Sequence, residues 1–268
     1  MIMAKKSSNK KIEKAKRQLV DPMTKKVITE EHLGQILCVY APCSWPFLHK
    51  KFVKSFLKII HPANIVALKK WGVNNYFPLL HDSFPVCKNR NEAATIALMY
   101  DCNWMMFLDS DMTFPPNIIP SLMRHNQPIV AGMYFHQSKP HFPVIYKTDE
   151  KKPHPHAYTH YVGYPKYDLF EVDLTGMGCM LVNMDVFKAI EMPFFDYLST
   201  RDDNLKNVTE DVIFCEKVKE AGYKIMIDPS VKCGHIQQEE IKEEHFDTYM
   251  SAYKTSERLL EEFGDGMD

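Results

Sequence analysis

Three short stretches of this chain hold the residue types that bond-making chemistry needs. The first is Asp109-Ser110-Asp111. It follows Trp104-Met105-Met106-Phe107-Leu108, an unbroken apolar run, and precedes Met112-Thr113-Phe114-Pro115-Pro116. An apolar run without alternation reads as a strand buried on both faces, in a sheet covered by helices. The paired prolines are expected to stop it. Both carboxylates then stand at the carboxyl end of a central strand, where open α/β sheets place their ligands. Side chains alternate along an extended segment, so Asp109 and Asp111 are expected to project the same way. Like charges side by side repel unless a cation lies between them. Hard oxygen ligands suit Mg2+ or Mn2+.

The second stretch is Glu210-Asp211, in the first turn of a helix read from Thr209 to Ala221, with Thr209 as N-cap and Gly222 at its stop. Acids there complement the helix dipole, worth about 0.3–1 kcal/mol each. The polar segment before them, Ser199 to Val208, implies a surface or cleft, where one carboxylate could act as general base on an acceptor hydroxyl. The third is His235, within Val231-Lys232-Cys233-Gly234-His235-Ile236. A neutral imidazole is a common ligand for first-row metals, and adding it to two carboxylates favours Mn2+ over Mg2+.

Weaker signals accompany these. Gly176-Met177-Gly178 permits a tight turn or a close backbone approach to a ligand. Arg90-Asn91 opens a helix, where Arg90 suits a phosphate or ribose but an exposed salt bridge is the default. His154, His156 and His160 read as part of a flexible polar loop rather than a metal site.

Positioning these residues takes a series of elements. Gln35 to Tyr40 reads as a strand ended by Ala41-Pro42, and Pro46 to Ile60 as a helix. Asn75 to Leu80 is a second strand, followed by His81-Asp82-Ser83. Asn89 to Tyr100 is a helix feeding the central strand, Pro116 to His125 a short helix, and Pro128 to Met133 a buried strand. The order β-α-β-α-β-α-β implies a parallel sheet with covering helices. His136 to Pro165 is long for a structureless connection, and such loops are usually functional or mobile. Strands follow at Leu169 to Leu174, Cys179 to Asn183 and Lys224 to Ile227, the last ended by Asp228-Pro229. A short helix at Met184 to Ile190 and a charged one at Ile241 to Phe263 complete the reading. The organisation expected is a basic arm at 1–30, a catalytic domain at 31–238 and an acidic helix at 239–268.

The 268 residues suffice for one large α/β domain, and 45% hydrophobic with 25% charged residues is ordinary for a globular protein. The net charge of -1 hides an asymmetry: residues 1–30 carry +6 and residues 237–268 carry -7. A basic start can touch a polyanion such as nucleic acid, or pair with the acidic end. The seven cysteines are odd in number and form no C-x-x-C. A reducing compartment fits them better than a disulfide framework. No apolar signal segment and no run of about 18 apolar residues is present, so a cytoplasmic location without a transmembrane helix is expected.

Together these residues resemble the GT-A glycosyltransferases, in particular family 2-like enzymes. The resemblance rests on FLDSDMTFPP, TEDVIFCEKVKEAGYKI, GMGCMLVNMDVF, KCGHI and KNRNEAATIA, which stand in the family's order over roughly residues 33–238. It implies a single GT-A domain, a nucleotide-diphospho-sugar donor and a divalent metal, Mn2+ or Mg2+, on the donor's diphosphate. Asp111 would coordinate the metal, Asp109 would contact metal or ribose, and His235 would be the third protein ligand. Asp211 would deprotonate the acceptor, with Glu210 in reserve, and direct displacement would invert the anomeric centre. Ala41, Pro42, Asp82, Arg90, Asn91, Ser110, Gly176 and Gly178 would line the donor pocket. No Q-x-x-R-W segment of processive synthases occurs, which implies transfer of a single sugar. Small relatives of this kind occur in phages, some linked to sugar modification of DNA bases. A DNA or other polyanionic acceptor is therefore one implication, and a glycan another; a phage-encoded enzyme would work in the host cytoplasm.

Two other readings stay open at this level. Asp109 in FLDSDMT also fits the nucleophile of a haloacid-dehalogenase-like phosphatase. A non-catalytic module binding nucleotide or nucleic acid is the other.

Overall fold

A computed structural model describes residues 34–43, 47–151, 158–197, 209–237 and 240–263. The basic arm, Ser199 to Val208, and His154 and His156 lie outside these. Gln35–Asp268 forms one compact unit.

In chain order the unit begins with β1 (Gln35–Pro42), helices α1 (Lys50–Ile59) and α2 (Pro62–Ala67), and a 3-10 turn at Leu68–Trp71. Then come β2 (Val73–His81), α3 (Val86–Met99), β3 (Trp104–Leu108), β4 (Met112–Thr113), α4 (Ile118–Met123) and β5 (Ile129–Met133). Strands β6 (Ile145–Thr148), β7 (Tyr158–His160), β8 (Phe170–Val172), β9 (Leu174–Thr175) and β10 (Cys179–Asn183) follow. After them stand α5 (Met184–Ala189), α6 (Glu210–Glu220), β11 (Ile225–Lys232), β12 (Gly234–Ile236), β13 (Glu240–Ile241) and α7 (Glu243–Phe263).

Seven strands form the central sheet in the order β2-β1-β3-β10-β5-β11-β8. Strand parity sorts its side chains between two cores. Cys38, Tyr40, Met105 and Phe107 face one side, packed with Ala93, Ala94 and Ala97 of α3 and with Phe214 of α6. Leu37, Val39, Met106 and Leu108 face the other, with Phe52 and Phe56 of α1 and Ile119 and Leu122 of α4. Both faces are covered, which is why β3 is apolar throughout. Helices α1 and α3 leave β1 and β2 for opposite faces. The crevice where the connections diverge opens at the carboxyl ends of β1 and β3.

The sheet is mostly parallel but mixed. Strand β10 inserts between β3 and β5 and runs antiparallel to both, and β8 runs antiparallel to β11. This matches the mostly parallel sheet covered by helices that is expected of the GT-A class; the antiparallel strand arises because the chain returns through β10 after its small second sheet. That sheet, β7-β6-β9, occupies part of the 136–165 stretch, which is not structureless. Strand β11 runs on past Asp228-Pro229 with a register shift before Lys232, so the proline bends the strand without ending it. Strand β3 ends at a turn rather than at Pro115-Pro116: Met112 donates its N–H to the Asp109 carbonyl at 3.3 Å, and the chain continues as β4. Strand β4 pairs with β12, and β12 with β13, in a third sheet. Helix α7 then packs through Phe246, stacked on Phe135 with ring centroids 5.4 Å apart.

Candidate active site

Asp109 keeps the parity of Met105 and Phe107, so its carboxylate faces α3. Its N–H still bonds the Gly178 carbonyl at 3.0 Å. On α3, Arg90, Ala93, Ala94 and Ala97 share one stripe by helical spacing. The alanines let the helix lie close to the sheet, and Arg90, one turn earlier, is buried with only 4% of its side chain exposed. An exposed salt bridge at Arg90 is therefore corrected. Its Nη2 donates to Asp109 Oδ1 at 2.9 Å, and its Nη1 donates to Glu210 Oε1 at 2.6 Å and to Asp211 Oδ1. One guanidinium thus ties the acids after β3 to the acids opening α6. Its Nε is buried without a partner.

The turn after Asp109 breaks the expected alternation. Asp111 points away from Arg90 and is 55% exposed, toward His235. The β4–β12 register sets His235 opposite Met112, and Asp111 Oδ2 lies 3.3 Å from His235 Nε2. Gln137 Nε2 donates to the same oxygen at 3.0 Å and to the Ile236 carbonyl at 2.8 Å.

This donor pair fits a divalent cation. His235 Nδ1 lies 2.7 Å from the Phe135 carbonyl, an acceptor that requires a proton on that nitrogen. In neutral imidazole Nε2 then presents a lone pair toward a carboxylate oxygen, an arrangement that a proton or a metal ion between them relieves. Burial lowers the His235 pKa, but the hydrogen bond and charge of Asp111 outweigh it and raise the imidazole above its ordinary value. A nitrogen and an oxygen donor together suit Mn2+. Of the three expected ligands, Asp111 and His235 stand together, whereas Asp109 is turned to Arg90; among the described residues no group of three or more His, Cys, Asp or Glu is arranged to hold a metal ion.

Asp211 has its carboxyl raised to about 7, because burial, with Glu210 and Asp109 nearby, outweighs the pull of Arg90 and the Met177 N–H. Burial likewise raises Asp109 despite Arg90, and Asp111 adds to the rise. Glu210 is more enclosed, with 8% of its side chain exposed against 22% for Asp211. It also receives the Tyr197 hydroxyl. Thr209 holds the N-cap position of α6 without a side-chain cap bond.

Gly176 and Gly178 are required by space; neither has positive φ. A Cβ on Gly176 would overlap the Tyr134 hydroxyl and lie 3.3 Å from Asp211 Oδ2. A Cβ on Gly178 would sit 2.5 Å from Met112 Sδ and 3.2 Å from Asp109 Oδ2. Tyr134 is buried, accepts the Gly178 N–H at 3.2 Å, and sets its ring edge-on to His235 at 5.8 Å. Burial first, then the Asp211 and Asp109 charges, hold its phenol well above the usual range, so it stays protonated. Sequence reasoning missed this residue, since Tyr134 follows the apolar β5 and carries no local mark of a site.

The other expected donor-pocket residues divide. Ala41 and Pro42 are buried at the end of β1, at the crevice. Ser110 is half-buried within the turn, and Asp82 is exposed beyond β2. Asn91 faces the interior: its amide donates to the Cys87 and Phe195 carbonyls at 2.9 and 2.6 Å and accepts the Phe194 and Phe195 N–H groups at 2.8 and 3.1 Å. It pins the 194–195 segment, so its amide is engaged there rather than turned toward Asp109 and Asp211. His160 packs against His136 with centroids 5.2 Å apart. Burial, with His160 and His235 nearby, pushes His136 down to about 4, and its neutral ring bonds the Tyr146 hydroxyl at 2.8 Å.

No helix among the described residues is long and apolar enough to cross a membrane. No family model and no curated protein matches the chain. Among solved structures, A197 from STIV aligns with a TM-score of 0.48 at 18% identity, over 76% of this chain and 86% of that one. A structure of GalNAc-T7 with UDP, GalNAc and Mn2+ aligns with a TM-score of 0.48 at 12% identity, over 82% of this chain and 47% of that one. This chain thus spans about half the length of the GalNAc-T7 chain.

Proposed function

We propose that this protein is a metal-dependent glycosyltransferase that moves one sugar from a nucleoside-diphospho-sugar to an acceptor hydroxyl with inversion. The observation that carries the reading is the Arg90 bridge. It brings Asp109, beside the Asp111–His235 pair, into one crevice with Asp211, from a helix about a hundred residues later. The resemblance in motif order assigns those two groups to donor and acceptor respectively, and their placement at one crevice supports that assignment.

Asp111 and His235 are the residues that hold the cation. Bound there, a divalent ion supplies Lewis-acid stabilisation to the charge on a departing diphosphate. Asp211 is the general base. A carboxyl raised to about 7 accepts a proton more readily than an ordinary aspartate and is still substantially ionised at neutral pH. It takes the acceptor's hydroxyl proton as that oxygen attacks the anomeric carbon. The bond from that carbon to the diphosphate oxygen breaks, and its electron pair leaves with the nucleoside diphosphate. Glu210, enclosed by Arg90 and Tyr197, anchors the guanidinium instead. A modified DNA base carrying a hydroxyl or a glycan as acceptor, and the basic arm as a polyanion contact, belong to the same proposal. Full activity after deletion of residues 1–30, or acceptor affinity insensitive to salt, removes the arm's part in it.

The test is binding and slow hydrolysis of a panel of UDP-, GDP- and dTDP-sugars with Mn2+, with Mg2+ and with EDTA, using Asp111→Ala as control. Mn2+-dependent release from one donor, lost in the variant, is the expected result. No binding of any donor by folded protein with metal present refutes the reading.

A further inference from the structure

The proposed mechanism leaves one buried polar side chain of the crevice, Tyr134, unused. Tyr134 lies between its two halves, with its ring edge against His235 and its hydroxyl on the Asp109–Asp211 side. Two positions that press on this phenol are glycine. At Gly176 a Cβ would overlap the hydroxyl itself, and at Gly178 one would stand 3.1 Å from Cζ.

The hydroxyl accepts the Gly178 N–H at 3.2 Å. Its own proton reaches no acceptor among the described residues. A phenol offers one donor besides its acceptor capacity. A buried hydroxyl proton without an acceptor is costly unless an incoming group takes it. Accepting a backbone N–H also polarises the O–H and strengthens it as a donor. The ring stands beside His235 and the hydroxyl near Asp211; in the proposed reaction the departing phosphate lies among these same groups.

We infer that Tyr134 is a further substrate-contacting residue, whose hydroxyl donates a hydrogen bond to a phosphoryl oxygen of the nucleoside diphosphate on the anomeric side. The inference rests on the glycosyltransferase reading above and adds a donor that the ionised acids of the crevice cannot supply, since an ionised carboxylate only accepts.

The test compares full-length wild type with Tyr134→Phe. Calorimetry measures affinity for UDP, GDP and dTDP with Mn2+, and steady-state kinetics are run on whichever donor the wild type uses. The expected result is a Kd for the nucleoside diphosphate weakened about tenfold and kcat/KM lowered about tenfold to a hundredfold, the range for one hydrogen bond to a charged group. Mn2+ affinity and melting temperature should stay unchanged. Replacement of Tyr134 by 3-fluorotyrosine, which keeps the ring and a stronger donor, should restore binding and guards against a packing defect in the phenylalanine variant. Equal affinity and turnover in wild type and Tyr134→Phe overturn the role of Tyr134 while leaving the glycosyltransferase reading intact. Failure of the folded wild type to bind any of the three nucleotides overturns the reading, and this inference with it.

Discussion

Replacing Arg90 with methionine removes the one cation from a cluster of three carboxylates while keeping a side chain of similar reach. The guanidinium is 4% exposed, so water screens it little. It holds Asp109 at 2.9 Å and Glu210 at 2.6 Å, besides Asp211. Removing one partner of a buried ion pair costs about 3–5 kcal/mol, because the other charge stays behind. A domain of this size has only about 5–15 kcal/mol in all. The melting temperature should therefore fall by about 6–20 °C, at about 2–4 °C per kcal/mol for this length. The acids left behind relieve their repulsion by binding protons, so their folded pKa values rise above the unfolded ones. Such groups stabilise most below the unfolded pKa, and that stability is lost as pH rises through the folded value. The deficit against wild type should therefore be larger at pH 8 than at pH 5.5. Urea unfolding at both pH values measures it. A variant as stable as wild type at pH 8, or a deficit identical at both pH values, refutes the claim that Arg90 is the charge balance of this site.

Other outcomes are equally specific. Asp211→Asn should leave Mn2+-dependent donor binding intact and lower transfer about 10²–10⁴-fold, the range for loss of a general base; transfer at the normal rate moves the base elsewhere. Because the Asp211 carboxyl is raised to about 7, the metal-free wild type should gain stability as pH falls from 8 toward 5, and Asp211→Asn should flatten that slope in chemical denaturation. Gly176→Ala should destabilise by about 1–3 kcal/mol through overpacking against the Tyr134 hydroxyl, measured by thermal melting. Asn91→Ala, which strips three hydrogen bonds from the 194–195 segment and one from the Cys87 carbonyl, should lower stability by about 2 kcal/mol with little change in donor affinity.

The sequence makes some of this legible and hides the rest for physical reasons. The unbroken apolar run of β3 announces a strand buried on both sides, and its parity alone directs Asp109 toward α3. The burial of Arg90 was also readable, because positions 90, 93, 94 and 97 make one helical stripe whose other members are alanines. A charged residue at the head of that stripe looks solvated only if the stripe is overlooked. The inserted β10 was found as a strand but not in its direction, since antiparallel pairing leaves no mark in a single run of five residues. Strands β6 and β7 escaped because they are short and set among prolines and histidines. The separation of Asp111 from Asp109 depends on a tight turn, and the pairing of Asp111 with His235 on a register between strands more than a hundred residues apart. Neither has a local signature.

The packing of Gly176 beneath Tyr134 carries a consequence for how this chain can drift. Position 176 is held to glycine by the oxygen of a residue 42 positions earlier, rather than by its own backbone. A lineage that exchanged the phenol for a phenyl ring would regain the room for one methyl group, and the two changes would be neutral only in that order. Alanine at 176 should therefore accompany phenylalanine at 134, and a chain carrying both would record that its pocket had stopped gripping an oxygen there before the glycine was released.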